Sequence, residues 1–379
     1  MTRIGIVLNF KKAEKKKNEL LYVNSRKKPW LQLANEPEFR PYSIMRLDKN
    51  NIPKRHVPVD VALGLYIKST YPDVILDLIR PDEISVSRFA ENDIVFLMQY
   101  DLLEAFHLDR SNFDKFKKVL EKSNNVYPPY DYQKFINNKC SYYDYLQKND
   151  IPIAPTHCID IKGFNQNPDR YIENLLKDIE TNGWDSFIIK PVYGQESFGF
   201  HKFLNVSENI QKIKTQLKNY FKKFADKYKG FIVQKYIPGF DKGKIEARMY
   251  FINGKYLFCM ATSGLTWSTT MRETRPVQEG GTFKISDTEW SYVKRLAKKV
   301  IKTLPKFNLP EGMQNSIITR IDIGSGLEGV PFSFFVNEVE FAPAFFIERQ
   351  DEPVIQNIGD ALVKTAEEYK NHKKIIVNF

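Results

Sequence analysis

Residues 316–341 read Ser316-Ile-Ile-Thr-Arg-Ile-Asp-Ile-Gly-Ser-Gly-Leu-Glu-Gly-Val-Pro-Phe-Ser-Phe-Phe-Val-Asn-Glu-Val-Glu-Phe341. Two apolar, β-branched runs, Ser316–Ile323 and Pro331–Phe341, flank the glycine-rich Gly324–Gly329. This predicts two antiparallel strands joined by a short connection. Side chains two apart on a strand share a face, so Glu338 and Glu340 project together, and Asp322 on the partner strand can face the same site. A Glu-x-Glu pair is often a solvated strand face, but the flanking phenylalanines argue for burial here. Three carboxylates among Phe, Val and Ile are costly to desolvate unless they are paired or bound to metal. Hard oxygen ligands clustered in this way suit Mg²⁺ carried with nucleotide phosphates.

Working outward, Glu246–Ile252 and Tyr256–Met260 flank Asn253-Gly254-Lys255, a strong hairpin signal. A helix is expected over Asp287–Thr303 and a last one near Gly359–Lys370. The tail Lys373–Phe379 reads as a final strand or a partner contact. Upstream, the strand Phe231–Ile237 runs into Pro238-Gly239, where backbone groups could meet an adenine edge. Another strand, Ser186–Lys190, ends on a lysine and enters a loop containing Gly194, Ser197 and Gly199. A strand-end lysine is commonly a snorkelling surface charge. A loop of small residues behind it instead allows backbone N–H groups to approach an anion. It is not a Walker loop, because no Gly-Lys-Ser/Thr follows. A strand is expected over His201–Val206, and helices over Asp169–Thr181 and Glu208–Tyr228. After Pro128-Pro129, a helix is expected from Asp131, as N-cap, to about Lys148, followed by the extended Ile151–Ile159.

The first part alternates strands (Ile4–Leu8, Val74–Ile79, Asp93–Met98) with helices (Val59–Lys68, Asn112–Lys122), the pattern of a parallel α/β layer. Lys11–Lys28 reads as an exposed loop or insertion. The fold class expected is therefore α/β followed by α+β.

The chain has 379 residues, enough for two to three domains. No apolar run approaches the roughly 18 residues of a membrane span. The initial apolar run precedes its lysines, the wrong order for a secretory signal. Cys140, Cys158 and Cys259 are scattered and odd in number, giving no disulfide framework or zinc spacing. Cys158 and Cys259 read as core thiols, no base is evident for Cys140, and a reducing, cytoplasmic compartment is expected. The five histidines share no metal-ligand spacing, and His157 reads as structural. A net charge of +11 invites nucleic acid, but Lys, Asn, Tyr, Phe and Ile are abundant throughout rather than patched. Nucleic acid is not an expected partner; an anionic nucleotide fits the charge as well. Arg272 and Arg275 read as a charged loop or an acidic-substrate site. Tyr142, Tyr143 and Tyr145 read as packing.

The order of these features carries a resemblance. Lys139, Lys190 with its glycine loop, Val233–Ile237, Glu246-Ala-Arg248, Arg320-Ile-Asp322 and Asn337-Glu-Val-Glu340 together resemble the ATP-grasp superfamily, its carboxylate–amine ligases in particular. Lys190–Gly199 is similar to the phosphate loop of D-alanine–D-alanine ligases, and the last two segments to their metal strands. Glu246-Ala-Arg248 is closer to glutathione-type and ribosomal-protein-modifying ligases. Two positions depart from the family, Glu340 for its usual Asn and Ala344 for its usual Gly.

The resemblance covers about 126–350. It implies a pre-ATP-grasp-like α/β domain over 1–125 and a two-lobed ATP-grasp domain over 126–379, with the lid lobe near 155–235 and the metal-site lobe near 236–379. It implies metal ligands Asp322, Glu338 and Glu340, holding Mg²⁺, expected as two ions, with Mn²⁺ as the substitute. It implies ATP contacts at Lys139, Lys190, Gly194, Ser197, Gly199, Gln234, Lys235, Tyr236, Ile237 and Glu246. Arg248 and Arg320 would steady developing charge. The activity implied joins a small-molecule or peptide carboxylate to an amine through an acyl phosphate; a small-molecule kinase on the same scaffold is the alternative. A homodimer is the default assembly.

Overall fold

The computed structural model describes residues 1–9, 20–24, 26, 28–195, 197–238, 245–263, 271–272, 275–276, 285–309, 312–343, 353–370 and 376–378. Strands Thr2–Val7, Val74–Ile79, Ile94–Leu97 and Val126–Tyr127 form one wholly parallel sheet, with Thr2–Val7 between Val74–Ile79 and Ile94–Leu97. Their runs are apolar without alternation because both faces are covered. Ile4, Ile6, Ile94 and Phe96 enter one core, and Val7, Ile79, Val95 and Leu97 the other. Helices Val59–Thr70 and Val354–Tyr369 close the first face, and Arg110–Lys122 the second. Asp360 accepts hydrogen bonds from the Tyr66 and Tyr71 hydroxyls, each 2.8 Å, so the last long helix is fastened to the first.

A second sheet, antiparallel, orders His201–Phe203, Phe187–Pro191, Gly230–Lys235 and Thr156–Asp160. It has its own core, filled from helices Pro168–Thr181 and Ile210–Phe224. The third, also antiparallel, orders Lys255–Ser263, Ile245–Ile252, Ile318–Ser325 and Phe334–Glu340, backed by Asp287–Thr303. The expected hairpin is present, with a two-residue turn: Asn253 and Gly254 both take positive φ, 48° and 72°, and Lys255, expected in the connection, begins the second strand. Among the described residues no helix is long and apolar enough to cross a membrane.

Several expectations are corrected. The single helix over 131–148 is two, Tyr130–Asn137 and Lys139–Lys148. The break is at Asn138, whose side-chain oxygen accepts from the Cys140 and Ser141 amides and so competes with helix continuation. Asp131 lies inside the first turn rather than capping it. Lys11–Lys28 is not uniformly exposed: Leu20–Tyr22 is a strand with Leu20 and Leu21 buried, paired with Pro53–Pro58, which pairs with Ile44–Leu47. That small sheet was not foreseen. Residues 10–19 lie outside the described ones. Arg272 and Arg275 sit in a paired two-residue ladder rather than a loop. The last helix begins at Val354 rather than Gly359.

Cys140 and Cys158 form a disulfide, with Cα atoms 6.0 Å apart. Cys158 is exposed on its strand rather than in the core, while Cys259 is the buried thiol expected. Their separation of 18 residues shows no pattern in sequence; a helix and a strand from different layers must first be brought together. The scattered cysteines therefore carry no inference about compartment.

Unfolded without reductant, the protein should show one reactive thiol, and three after reduction. The Cys140→Ser/Cys158→Ser variant should lose about 3 kcal/mol in a urea titration, the loop-closure entropy of a bridge this long. Three thiols before reduction would disprove the pairing.

Candidate active site

The two carboxylate strands pair in the register that places Asp322 opposite Glu338 and Arg320 opposite Glu340, with an irregularity between Asp322 and Ile323. Asp322, Glu338 and Glu340 each offer an oxygen within 4.8 Å of the others, as the sequence implied. Asp322 is buried, whereas the Glu338 and Glu340 side chains keep 28% and 33% exposure, so the cluster opens to solvent on their side. Hard oxygens so placed fit a divalent cation such as Mg²⁺.

The charges are compensated from three strands. Arg320 Nε and Nη2 donate to the two Asp322 oxygens, both at 2.7 Å, and Nη2 also reaches Glu340 at 2.6 Å. Arg248, opposite Asp322 on the next strand, donates to Glu246 Oε2 at 3.0 and 2.9 Å, and its Nε lies 3.8 Å from Asp322. Asn337 Nδ2 donates to the other Glu246 oxygen at 2.8 Å. Burial raises the Asp322 carboxyl, against the pull of Arg320 and Arg248. Burial raises Glu340 too, to about 7, with Arg320 opposing and the neighbouring Glu338 and Asp322 charges adding. For Glu338 burial is outweighed by Lys139 and Lys190, which bring it down to about 2.

One candidate lysine pairs with this cluster and the other lies near it. Lys139, buried at the start of its helix, donates to Glu338. Lys190 Nζ lies 3.4 Å from the Tyr143 hydroxyl and 5.6 Å from its ring centre. Burial lowers the Lys190 pKa, with Glu338 and Glu246 opposing. In the following loop, Ser197 and Gly199 have φ of 61° and 70°, and a side chain at Gly199 would stand 2.7 Å from Pro191 Cγ. Gly194 is less tight, an added side chain standing 3.2 Å from the Phe198 carbonyl oxygen. The loop is tethered to the helix Leu102–Leu108 that follows a strand of the parallel sheet: Gln195 Nε2 donates to Asp101, its N-cap, at 3.0 Å, and His107 Nε2 lies 3.1 Å from the Tyr193 carbonyl.

The hinge candidates are spoken for in part. Gln234 is buried and donates to Thr156, the Lys235 amide donates to the Pro155 carbonyl, and the Tyr236 amide to the Ser186 carbonyl. Ile237 packs with Ala154, Leu327 and Phe335. Contact with a base there would fall to carbonyls and to Ile237. The Arg272 and Arg275 side chains lie outside the described residues. His157 stacks on Trp184 at 4.8 Å, a packing role as expected.

Sequence reasoning missed three groups. Asp101 follows a parallel strand at its carboxyl end, where α/β sheets bind ligands, a usable signal. His107 and Tyr143 had none, since each is defined by partners distant in sequence.

No protein-family model matches the sequence, and no curated protein matches it. Solved structures do. D-cycloserine synthetase DcsG superposes with a TM-score of 0.57 at 15% identity, over 80% of this chain and 93% of that one. D-alanyl-alanine synthetase A from Vibrio cholerae gives 0.56 at 12% identity, over 97% and 98%. D-alanine–D-alanine ligase from Bacillus anthracis, complexed with ATP, gives 0.52 at 13%, over 98% and 99%. The chain thus shares the fold of these D-alanine–D-alanine ligase structures, along nearly its whole length.

The depressed Glu338 carboxyl predicts a pH signature. Its stabilisation is present above the ordinary pKa of 4.5 and is lost as pH falls toward 2. In metal-free buffer, the stability gap between wild type and Glu338→Gln should narrow as pH drops from about 5 to 3. A gap constant across urea titrations in that range would rule out the Lys139–Glu338 pairing.

Proposed function

We propose that this protein is an ATP- and Mg²⁺-dependent ligase that joins a carboxylate to an amine and releases ADP and phosphate. One observation carries the reading. Lys139 pairs with Glu338, one of three clustered carboxylates, and Lys190, at the head of a glycine loop, lies close enough to feel the charge of Glu338 and of Glu246. A triphosphate needs such a mixture of cations and metal-binding oxygens in a poorly solvated site.

In this reading Asp322, Glu338 and Glu340 hold Mg²⁺, which when bound offsets phosphate charge and orients the γ-phosphoryl group. Lys139 and Lys190 neutralise the phosphates, and Gly194, Ser197 and Gly199 cover them. Gln234, Lys235, Tyr236 and Ile237 flank the base, and Glu246 the ribose side. A substrate carboxylate oxygen attacks the γ-phosphorus, and the bond to the ADP oxygen breaks. The amine nitrogen then attacks the acyl carbon, phosphate leaves with the bonding pair, and the nitrogen gives up a proton. Arg320 spends its donors on Asp322 and Glu340 and so braces the metal ligands, offsetting the extra charge of Glu340. Arg248, with more of its side chain exposed, is better placed to meet charge developing on the acyl oxygen. In this reading the substrate would lie toward the carboxyl edge of the parallel sheet, where the Gln195–Asp101 contact brings the loop. Free amino acids, which the solved relatives' names suggest, are the first substrates to try.

Phosphorus NMR with Mg-ATP and a pool of amino acids and peptides should show ADP and equimolar free phosphate, dependent on the pool and abolished by EDTA. Asp322→Asn and Lys190→Met should each lower kcat by about 100-fold, the usual scale for one transition-state electrostatic group. A phosphate ester without free phosphate would convert the reading to a kinase.

A further inference from the structure

We propose that Tyr143 is a positioning residue that sets the Lys190 ammonium for the nucleotide phosphates. The inference rests on the nucleotide-site reading above. Tyr143 lies four residues after Lys139 on one helix, hence one turn along on the same face. That face meets the strand Phe334–Glu340 twice: Lys139 donates to Glu338, and the Tyr143 hydroxyl donates to the Asn337 carbonyl. With its proton committed there, the hydroxyl oxygen can only accept in other directions. Lys190 Nζ stands 3.4 Å from that oxygen, and the same residue's ring lies 5.6 Å away as a cation–π surface.

One buried side chain thus joins three units. The lid sheet supplies Lys190, the lysine helix supplies Tyr143, and the carboxylate sheet supplies Asn337. Asn337 continues the chain through its amide to Glu246, which holds Arg248. The ring is itself fixed, 98% buried and packed on Tyr142 with centroids 4.6 Å apart. A lysine carries much rotamer freedom, and a rigid acceptor reduces what must be ordered when an anion arrives. Ordinary packing would call for the ring alone. The hydroxyl adds a bond to the Asn337 carbonyl and an acceptor for the lysine that precedes the glycine loop, an oxygen that Tyr142 and Gln234 also face.

The test is a double-mutant cycle read by calorimetric titration of Mg-ATP into wild type, Tyr143→Phe, Lys190→Met and the double variant. Tyr143→Phe keeps the ring and should fold; thermal unfolding of each protein checks this. We expect Tyr143→Phe to bind Mg-ATP about tenfold more weakly, the scale of a hydrogen bond to a charged group. The double variant should bind no more weakly than Lys190→Met, because both changes remove one contact. Wild-type affinity in Tyr143→Phe, or losses that multiply in the double variant, would overturn the inference. A lower melting temperature without coupling to Lys190 would reduce Tyr143 to packing and overturn it too. Failure of the wild type to bind Mg-ATP would instead overturn the nucleotide-site reading, and this inference with it.

Discussion

Desolvated charge is the constraint around which the molecule is arranged. Four carboxylates, Asp322, Glu338, Glu340 and Glu246, meet four cations, Arg248, Arg320, Lys139 and Lys190, in a space partly withdrawn from water. Removing one partner from such a set leaves an opposite charge uncompensated, which costs more than the pair contributes. The set is formally neutral, and a triphosphate arriving with two divalent ions would add little net charge. A site built this way can exchange internal pairs for ligand contacts with little change in its net charge.

The helix Lys139–Lys148 is the joint that makes the arrangement possible. Its start is aimed by the break at Asn138, which frees it from the direction of Tyr130–Asn137. One face delivers Lys139 and Tyr143 to the carboxylate strand, and Tyr145 donates to the Thr303 carbonyl at 2.8 Å. The disulfide ties the same helix to the edge strand of the lid sheet. The second sheet fills a core of its own on one face, while Val192 and Ile232 join the core that the parallel and carboxylate sheets share.

Legibility followed the range of the interaction. The Asn253-Gly254 turn, the apolar strands and the amphipathic helices rest on contacts within a few residues, and the sequence showed them with small errors at their ends. The carboxylate triad was readable because a strand alternates its faces and a short connection forces antiparallel pairing. The break at Asn138 was hidden, because a capping side chain and a solvated one look alike in an apolar-periodic stretch. Leu20–Tyr22 was hidden by its lysine-rich neighbourhood, where composition outweighed three residues of strand. Cys140–Cys158 and the His107 contact had no local trace.

The amino-acid sequence by itself determined the order of the elements, the shared face of Glu338 and Glu340, and the resemblance that the fold bears out. The first two follow from backbone periodicity, which any window of a few residues expresses; the resemblance rests on the order of particular motifs along the chain. Only the tertiary structure decided which cation answers which acid. Arg320 was drawn to Asp322 and Glu340, Arg248 to Glu246, Lys139 to Glu338, and Lys190 to Tyr143. Coulomb and hydrogen-bond energies depend on separations of a few ångströms between groups as many as 199 positions apart, and no sequence spacing encodes those distances.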